Sequence, residues 1–375
     1  MGFGMGLNLL LLLAMVATNI LSLYHLSSSL QNKSSSSSLS SPIPDHLHHQ
    51  LNTIRATINH LTNLRSTTKP TSSKPISSLP SDLLLYSHLS PIASSCRNYP
   101  ELLHKYMNYK PYSICPLDND LAESLILRGC HPLPRRRCFS QTITKIPSSL
   151  PINPFPSSLP DSAMIWASYR CKNFQCFNSV NENLGFNMMI ESNKFTSFQS
   201  DLDLPISQLL QIAKMGMSVI RLALDVGAAT GTFAAKMKLY NVTVLSTSMN
   251  LGAPYNEVIA LRGLVPLHVP LQQRFPIFDG VVDLVRFSHA INRWIPINAM
   301  EFMFYDVDRV LRSGGYFWLD HFFSKGVDLE KIYAPLIGKL GYKKIKWATA
   351  NKTDSSGLKN GEVYLTALLQ KPIVK

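Results

Sequence analysis

The sequence predicts an α/β fold, a mostly parallel sheet with one reversed strand at its C-terminal edge, and three observations point to it. From Leu204 onward, short apolar runs alternate with segments of helical spacing. The first apolar run ends in a tight turn of small residues, Gly227, Ala229 and Gly231, which opens a helix. The chain closes on two strand-like segments, Tyr342 to Thr349 and Glu362 to Gln370, joined by a polar stretch that suits a hairpin.

Ahead of the sheet the chain divides by composition. Residues 1–4 read as a short cytosolic tail, 5–26 as a transmembrane signal anchor, 27–91 as a Ser/Pro-rich stalk and 92–203 as an irregular cysteine-bearing cover region. The sheet domain is 204–375. Met5 to Leu26 is almost wholly apolar, and roughly 20 apolar residues span a bilayer. A cleaved signal peptide has a shorter apolar core of about 7–15 residues, so the length favours an uncleaved anchor. The stalk is too polar to bury a core. Within it, Leu47, Leu51, Ile54, Ile58 and Leu61 recur at helical spacing, as a short coiled coil or by chance. His46, His48 and His49 read as an exposed polar run, and no metal site is expected.

In the cover region, Tyr99 to Tyr109 and Asp118 to Arg128 have helical character, and Pro147 to Pro160 is extended. The sheet domain then runs in order. Leu204 to Met217 is a helix, Val219 to Val226 the first strand and Thr232 to Leu239 a helix. Val242 to Thr247 is the second strand, Tyr255 to Gly263 a helix, Val265 to Val269 the third strand and Val281 to Phe287 the fourth. Ala299 to Leu311 is a helix stopped at Arg312 to Gly315, where glycine and a cation form a stop signal. Tyr316 to Asp320 is the fifth strand and Leu329 to Leu340 a helix before the final pair.

The chain has 375 residues and a formal net charge of +13. That balance suits an acidic partner. No nucleic-acid motif occurs, and the Arg135 to Arg137 triplet reads as a solvated loop. Six cysteines, Cys96, Cys115, Cys130, Cys138, Cys171 and Cys176, all precede the sheet domain. An even set in one region suggests disulfides and an oxidising compartment, with the pairing left open. Zinc is the rival, but no C-x-x-C pair occurs. Sequons stand at Asn32, Asn241 and Asn351. Asn241 opens an expected core strand, whereas Asn351 lies in the polar connection and is the better acceptor.

The turn does not fit the dinucleotide fingerprint, because its small residues fall at G-x-A-x-G. With Asp225 two positions ahead, it resembles motif I of the class I S-adenosylmethionine (SAM) methyltransferases, whose Rossmann-like sheet has this order of elements. That resemblance implies SAM as cofactor, held by Asp225, Gly227, Ala229, Gly231 and Thr232, with Asp225 receiving the ammonium of the methionine part. Further stretches sharpen it: Cys115 with Pro116, Cys130 to Pro134, Arg274 to Val285, and Asp308 to Leu319. Together they resemble the plant SAM-dependent methyltransferases that include the Golgi pectin methyltransferases of the QUASIMODO type, in a smaller branch.

The family resemblance implies a single-pass type II protein with its enzyme in the Golgi lumen, alone or in a homo- or hetero-oligomer. It implies an acidic cell-wall polysaccharide as substrate, with pectic carboxylates as candidate acceptors that need no base, whereas a sugar hydroxyl as acceptor would call for a base such as His or Asp. Two acids usual in the fold are missing. After the second strand stands Asn250, with Ser246 and Glu257 near it, and after the third stands Gln272. Asn250 or Ser246 is the candidate ribose ligand and Gln272 the candidate adenine ligand, since its amide both donates and accepts. Beyond the fourth strand, His289 is a candidate base or anion ligand, Arg293 a candidate partner for a uronate and Trp294 a candidate sugar platform. The alternative is that His289 and Trp294 are structural. Asp320 with His321 is the second candidate catalytic pair, against a helix cap with an exposed histidine. Against the enzyme stands an inactive membrane-anchored scaffold with the same fold. A soluble small-molecule methyltransferase does not explain the anchor and stalk.

Overall fold

The computed structural model describes residues 93–143, 151–180, 182–354, 357 and 360–373. The expected anchor and stalk, with their histidine run and Asn32, lie outside the described residues. Among the described residues, no helix is long and apolar enough to cross a membrane.

Seven strands form one sheet: β1 Leu222–Val226, β2 Thr243–Thr247, β3 Val265–Leu267, β4 Val282–Phe287, β5 Leu311–Lys325, β6 Lys343–Asn351 and β7 Glu362–Gln370. Their order is β3-β2-β1-β4-β5-β7-β6. β1 to β5 pair in parallel, while β7 runs antiparallel to both β5 and β6. The reversed strand is therefore not at the edge, as the sequence suggested. It is inserted between β5 and β6, and β6 forms the border. The hydropathy of β7 explains this. Its residues Leu365 to Leu369 are wholly buried, whereas β6 is half exposed.

Successive strand residues face opposite layers. Leu224, Val285, Phe317 and Leu369 face the helix Ile297–Val310, which contributes Met303, Phe304 and Val307. Ala223, Leu284, Trp318 and Leu368 face the helices Ile206–Met215 and Thr232–Lys238, through Leu209, Ala213 and Phe233. β1 and β5 depart furthest from the expected bounds, for identifiable reasons. β1 starts at Leu222 rather than Val219, because the Arg221 and Leu222 amides donate to Asp283 Oδ2 at 2.6 and 2.9 Å. β5 is three times the expected length. The preceding helix ends at Val310, and Leu311 already pairs with Val282. The strand then continues past Asp320 through an irregularity between Leu319 and Phe322.

The cover region holds the helices Pro100–Met107, Asn119–Leu127, Phe174–Val180 and Met188–Asn193. Its cysteines pair as Cys96–Cys130, Cys115–Cys138 and Cys171–Cys176. An aromatic cluster of Trp166, Phe174, Phe177 and Phe186 packs it against Tyr255 and Val258 of the helix after β2. Asn241 proves to be exposed, in the turn before β2 with φ of 59°, rather than drawn into the core. Asn351 is exposed at the end of β6.

Asp283 fastens the start of β1 and also pairs with Arg312. Each hydrogen bond to a charged acceptor is worth about 1.5–3 kcal/mol. Asp283→Ala is expected to cost about 3 kcal/mol in chemical denaturation, and Asp283→Asn less, since one oxygen survives.

Candidate active site

The turn after β1 is shaped by backbone that side chains resist. Gly227, Ala229 and Gly231 all have positive φ, at 77°, 49° and 79°. A Cβ on Gly227 would stand 2.7 Å from Ser288 Oγ and 2.9 Å from the Ala290 methyl, so glycine is required there. Ser288, at the end of β4, donates to the Gly227 carbonyl at 2.6 Å. The Ala228 amide donates to Thr247 at the end of β2 at 2.9 Å. The turn is thus gripped by the carboxyl ends of two neighbouring strands, where ligands bind in open α/β sheets.

Against this turn lies a cavity of about 470 Å3. Gly227, Ala229, Thr232, Arg286, His289, Asp320 and His321 line its sheet side, and Glu191 and Lys194 of the cover region line its other wall. Glu191 is buried, accepts from the Thr232 hydroxyl and pairs with Lys194 at 2.6 Å. Arg262, wholly buried, donates to the Thr230 carbonyl at 2.8 Å and to Thr232 Oγ1 at 3.2 Å. Gly231 caps the helix rather than lining the space.

Under the floor sits a chain of charges. Asp225 and Arg286 are register partners on β1 and β4. Arg286 Nη1 donates to Asp225 Oδ1 at 2.7 Å, and its Nε donates to Asp320 Oδ2 at 2.9 Å. Its guanidinium is boxed by the Phe195, Phe233 and Trp318 rings at 5.0, 5.0 and 5.4 Å. His321 Nδ1 lies 2.7 Å from Asp320 Oδ1. Burial pushes the Asp225 carboxyl up, despite Arg286. Burial works the same way on Asp320, but Arg286 and His321 outweigh it and hold that carboxyl at about 2. Withdrawal from water and the Arg286 charge push His289 down, so it is neutral at pH 7.

The expected site residues therefore divide. Gly227, Ala229, Thr232, His289 and Asp320 line one cavity, with Asp225 beneath it and Gly231 beside it. Asn250, Gln272 and Arg293 do not line it. Asn250 donates to Glu257 at 2.6 Å and to the Tyr169 hydroxyl at 3.2 Å, and Gln272 donates to the Ile126 carbonyl at 3.0 Å. Both fasten the cover region to the sheet. Arg293 pairs with Glu362 at 2.6 Å and stacks on the exposed Trp294 at 4.2 Å. Sequence reasoning missed Arg286, although a lone cation among the apolar residues of β4 was its visible signal. Lys194 and Glu191 carried no such signal, because they sit in an irregular segment.

The residues fit the methionine end of SAM on two observations. The Gly227 cradle has no room for a side chain, and Asp225 Oδ2 is a buried acceptor without a hydrogen-bond partner, suited to an ammonium group. Asn250 and Gln272 would meet the nucleoside only by exchanging their present partners.

Asp320 has a depressed carboxyl, so its contribution is complete above its unfolded value and is lost as pH falls through the folded one. The difference in unfolding free energy between the native chain and Asp320→Asn is expected to shrink by about 2 kcal/mol between roughly pH 4 and 2. Urea denaturation at a series of pH values checks this.

Comparison with known proteins agrees with the geometry. Residues 186–330 match the family described as "Putative S-adenosyl-L-methionine-dependent methyltransferase". A protein of Arabidopsis thaliana, named as a probable methyltransferase, is 62% identical over 389 aligned positions covering 100% of both chains. Among solved structures, the N-methyltransferase NodS of Bradyrhizobium japonicum, in complex with S-adenosyl-L-homocysteine, aligns over 49% of this chain and 97% of its own, at 10% identity and TM-score 0.33. The ribosomal protein L11 methylase of Lactobacillus delbrueckii aligns over 44% and 78%, at 17% identity and TM-score 0.32. The glycine turn, the sheet order and a relative of such identity over the full length lead to one conclusion: this chain belongs to the plant family of SAM-dependent methyltransferases, and SAM is its cofactor.

Proposed function

We propose that this methyltransferase works in the Golgi lumen, tethered by residues 5–26, and that its acceptor is an acidic cell-wall polysaccharide such as pectin. The observation that carries the compartment is the set of three cysteine pairs, which leaves no free thiol among the described residues. Such pairing persists in oxidising compartments. The net charge of +13 supports a polyanionic substrate, whose carboxylates raise its local concentration at the protein.

Bound SAM supplies an electrophilic methyl group on a sulfonium. What remains for the chain is to bind, align and keep out water. The turn at 227–231 and Thr232 set the donor's place, and the cover segment carrying Glu191 and Lys194 closes the wall opposite. The acceptor enters the part of the cavity lined by His289, Asp320 and His321.

Two measurements test the reading. Labelled methyl from SAM is expected to enter demethylated homogalacturonan in preference to neutral glycans; the reverse preference sinks the substrate. With the anchor at residues 5–26, a lumenal stalk and domain expose the sequons at Asn32, Asn241 and Asn351 to glycosylation, so a glycosidase-sensitive mass shift should shrink in the Asn241→Gln, Asn351→Gln double variant and vanish once Asn32→Gln is added. Protease access from the cytosolic side of intact vesicles would contradict that topology.

A further inference from the structure

We infer that the acceptor atom is a hydroxyl oxygen and that His321 is the general base that takes its proton, with Asp320 as its positioning residue. This rests on the reading of the cavity as the site of methyl transfer. The first support is geometric. β5 and β7 are in register at Leu319 with Ala367 and again at Phe322 with Leu365, so Asp320 and His321 together oppose the single residue Thr366. Such a bulge re-aims side chains. It turns Asp320 and His321 to the same side, where both line the cavity. The cost is visible in the backbone, since His321 has φ of 55° and its amide donates to the Thr366 hydroxyl, at 3.3 Å. A left-handed residue other than glycine is strained, and such residues cluster at functional sites.

The second support is the orientation of the ring. Nδ1 lies 2.7 Å from Oδ1 of the Asp320 carboxylate, which can only accept, so Nδ1 carries the proton and the lone pair is on Nε2, in a side chain that is 35% exposed and lines the cavity. Arg286 in turn fixes the other oxygen of Asp320. A base, an orienting carboxylate and a clamp on that carboxylate is the arrangement that activates a hydroxyl. Burial alone would lower His321, but the bond and charge of Asp320, with Asp203 beyond, outweigh burial and Arg286 and leave the imidazole above its ordinary value. The other charged or polar groups around it are His289 from the loop after β4 and the Tyr364 ring of β7, at 5.8 Å.

The third support is charge. A carboxylate acceptor needs no base but does need unpaired cations. Lys194 and Arg286 are the only Lys or Arg side chains among the described residues lining the cavity, and both are engaged, by Glu191 and by Asp225 with Asp320. Four carboxylates, Glu191, Asp203, Asp225 and Asp320, line or underlie the space against those two. That surplus suits a cationic donor and repels an acceptor carboxylate at the methyl group. As the hydroxyl oxygen takes the methyl carbon, the carbon–sulfur bond breaks with its electron pair left on sulfur, and the hydroxyl proton passes to Nε2. The products are a methyl ether, a neutral thioether and an imidazolium facing Asp320.

The test uses the full chain with labelled SAM and demethylated homogalacturonan, which offers both carboxylates and hydroxyls, alongside neutral glycans. Methyl esters are released by mild alkali and methyl ethers are not. The expected label is alkali-stable, and kcat rises with pH through an apparent value above about 6.5. His321→Asn, which tolerates the left-handed backbone, is expected to lower kcat by about 10^2–10^4-fold while calorimetric SAM affinity changes less than about threefold. In Asp320→Asn the rising limb should move to lower pH. The pH dependence of His321 carbethoxylation, followed by mass spectrometry, should move with it. Alkali-labile label on homogalacturonan with kcat retained in His321→Asn overturns the inference and leaves the acidic substrate standing. Alkali-stable, His321-dependent label on neutral glycans alone does the opposite. Carbethoxylation unmoved by Asp320→Asn overturns the dyad independently of any acceptor.

Discussion

One guanidinium holds the working end of this sheet together. Arg286 rises from β4 between Asp225 on β1 and Asp320 on β5, binds both, and is roofed by three aromatic rings. Three adjacent strands are thereby tied at their carboxyl ends, where the turn at Gly227 must hold its shape. A buried cation shared by two acids is costly to desolvate and worse to unpair, since each orphaned partner would then be a bare charge in low dielectric. The interaction is therefore better understood as a specification of geometry than as a source of net stability. It also reassigns Asp225. The acid expected to meet the cofactor directly is half spent on Arg286, and only its second oxygen remains uncommitted.

The strands of the sheet were legible because their hydropathy follows from burial on both faces. Glu362–Gln370 has the predicted bounds, and the helix Thr232–Lys238 falls one residue short of them. What could not be read was pairing. Two antiparallel segments at the end of a chain look alike whether the second lies at the rim or inserts beside β5, and only the depth of burial of Leu365 to Leu369 distinguishes them. The continuation of β5 past Asp320 was hidden for a related reason. A bulge breaks the alternation that marks a strand, so the pattern stops at the position where the function sits.

The site was legible in part. Gly227, Ala229 and Gly231 declared themselves through small size at a strand end, and the structure gives all three positive φ. Position after β2 and β3 points to Asn250 and Gln272 but says nothing of what else competes for an amide. Tyr169 and the Ile126 carbonyl reach them from more than 80 residues upstream. Contacts of that range depend on the path of an irregular segment, for which sequence periodicity carries no information.

Each of the three cysteine bridges closes a loop inside the cover, and none reaches the sheet, which contains no sulfur able to form one. Maturation thus separates into two tasks under different control. The strands β1 to β7 are joined by noncovalent contacts alone, while the roof over Asn250 and Gln272 also needs an oxidant to close its bridges. Material made in a reducing cytoplasm would lack all three bridges, and its inactivity would speak about redox history before it spoke about the enzyme.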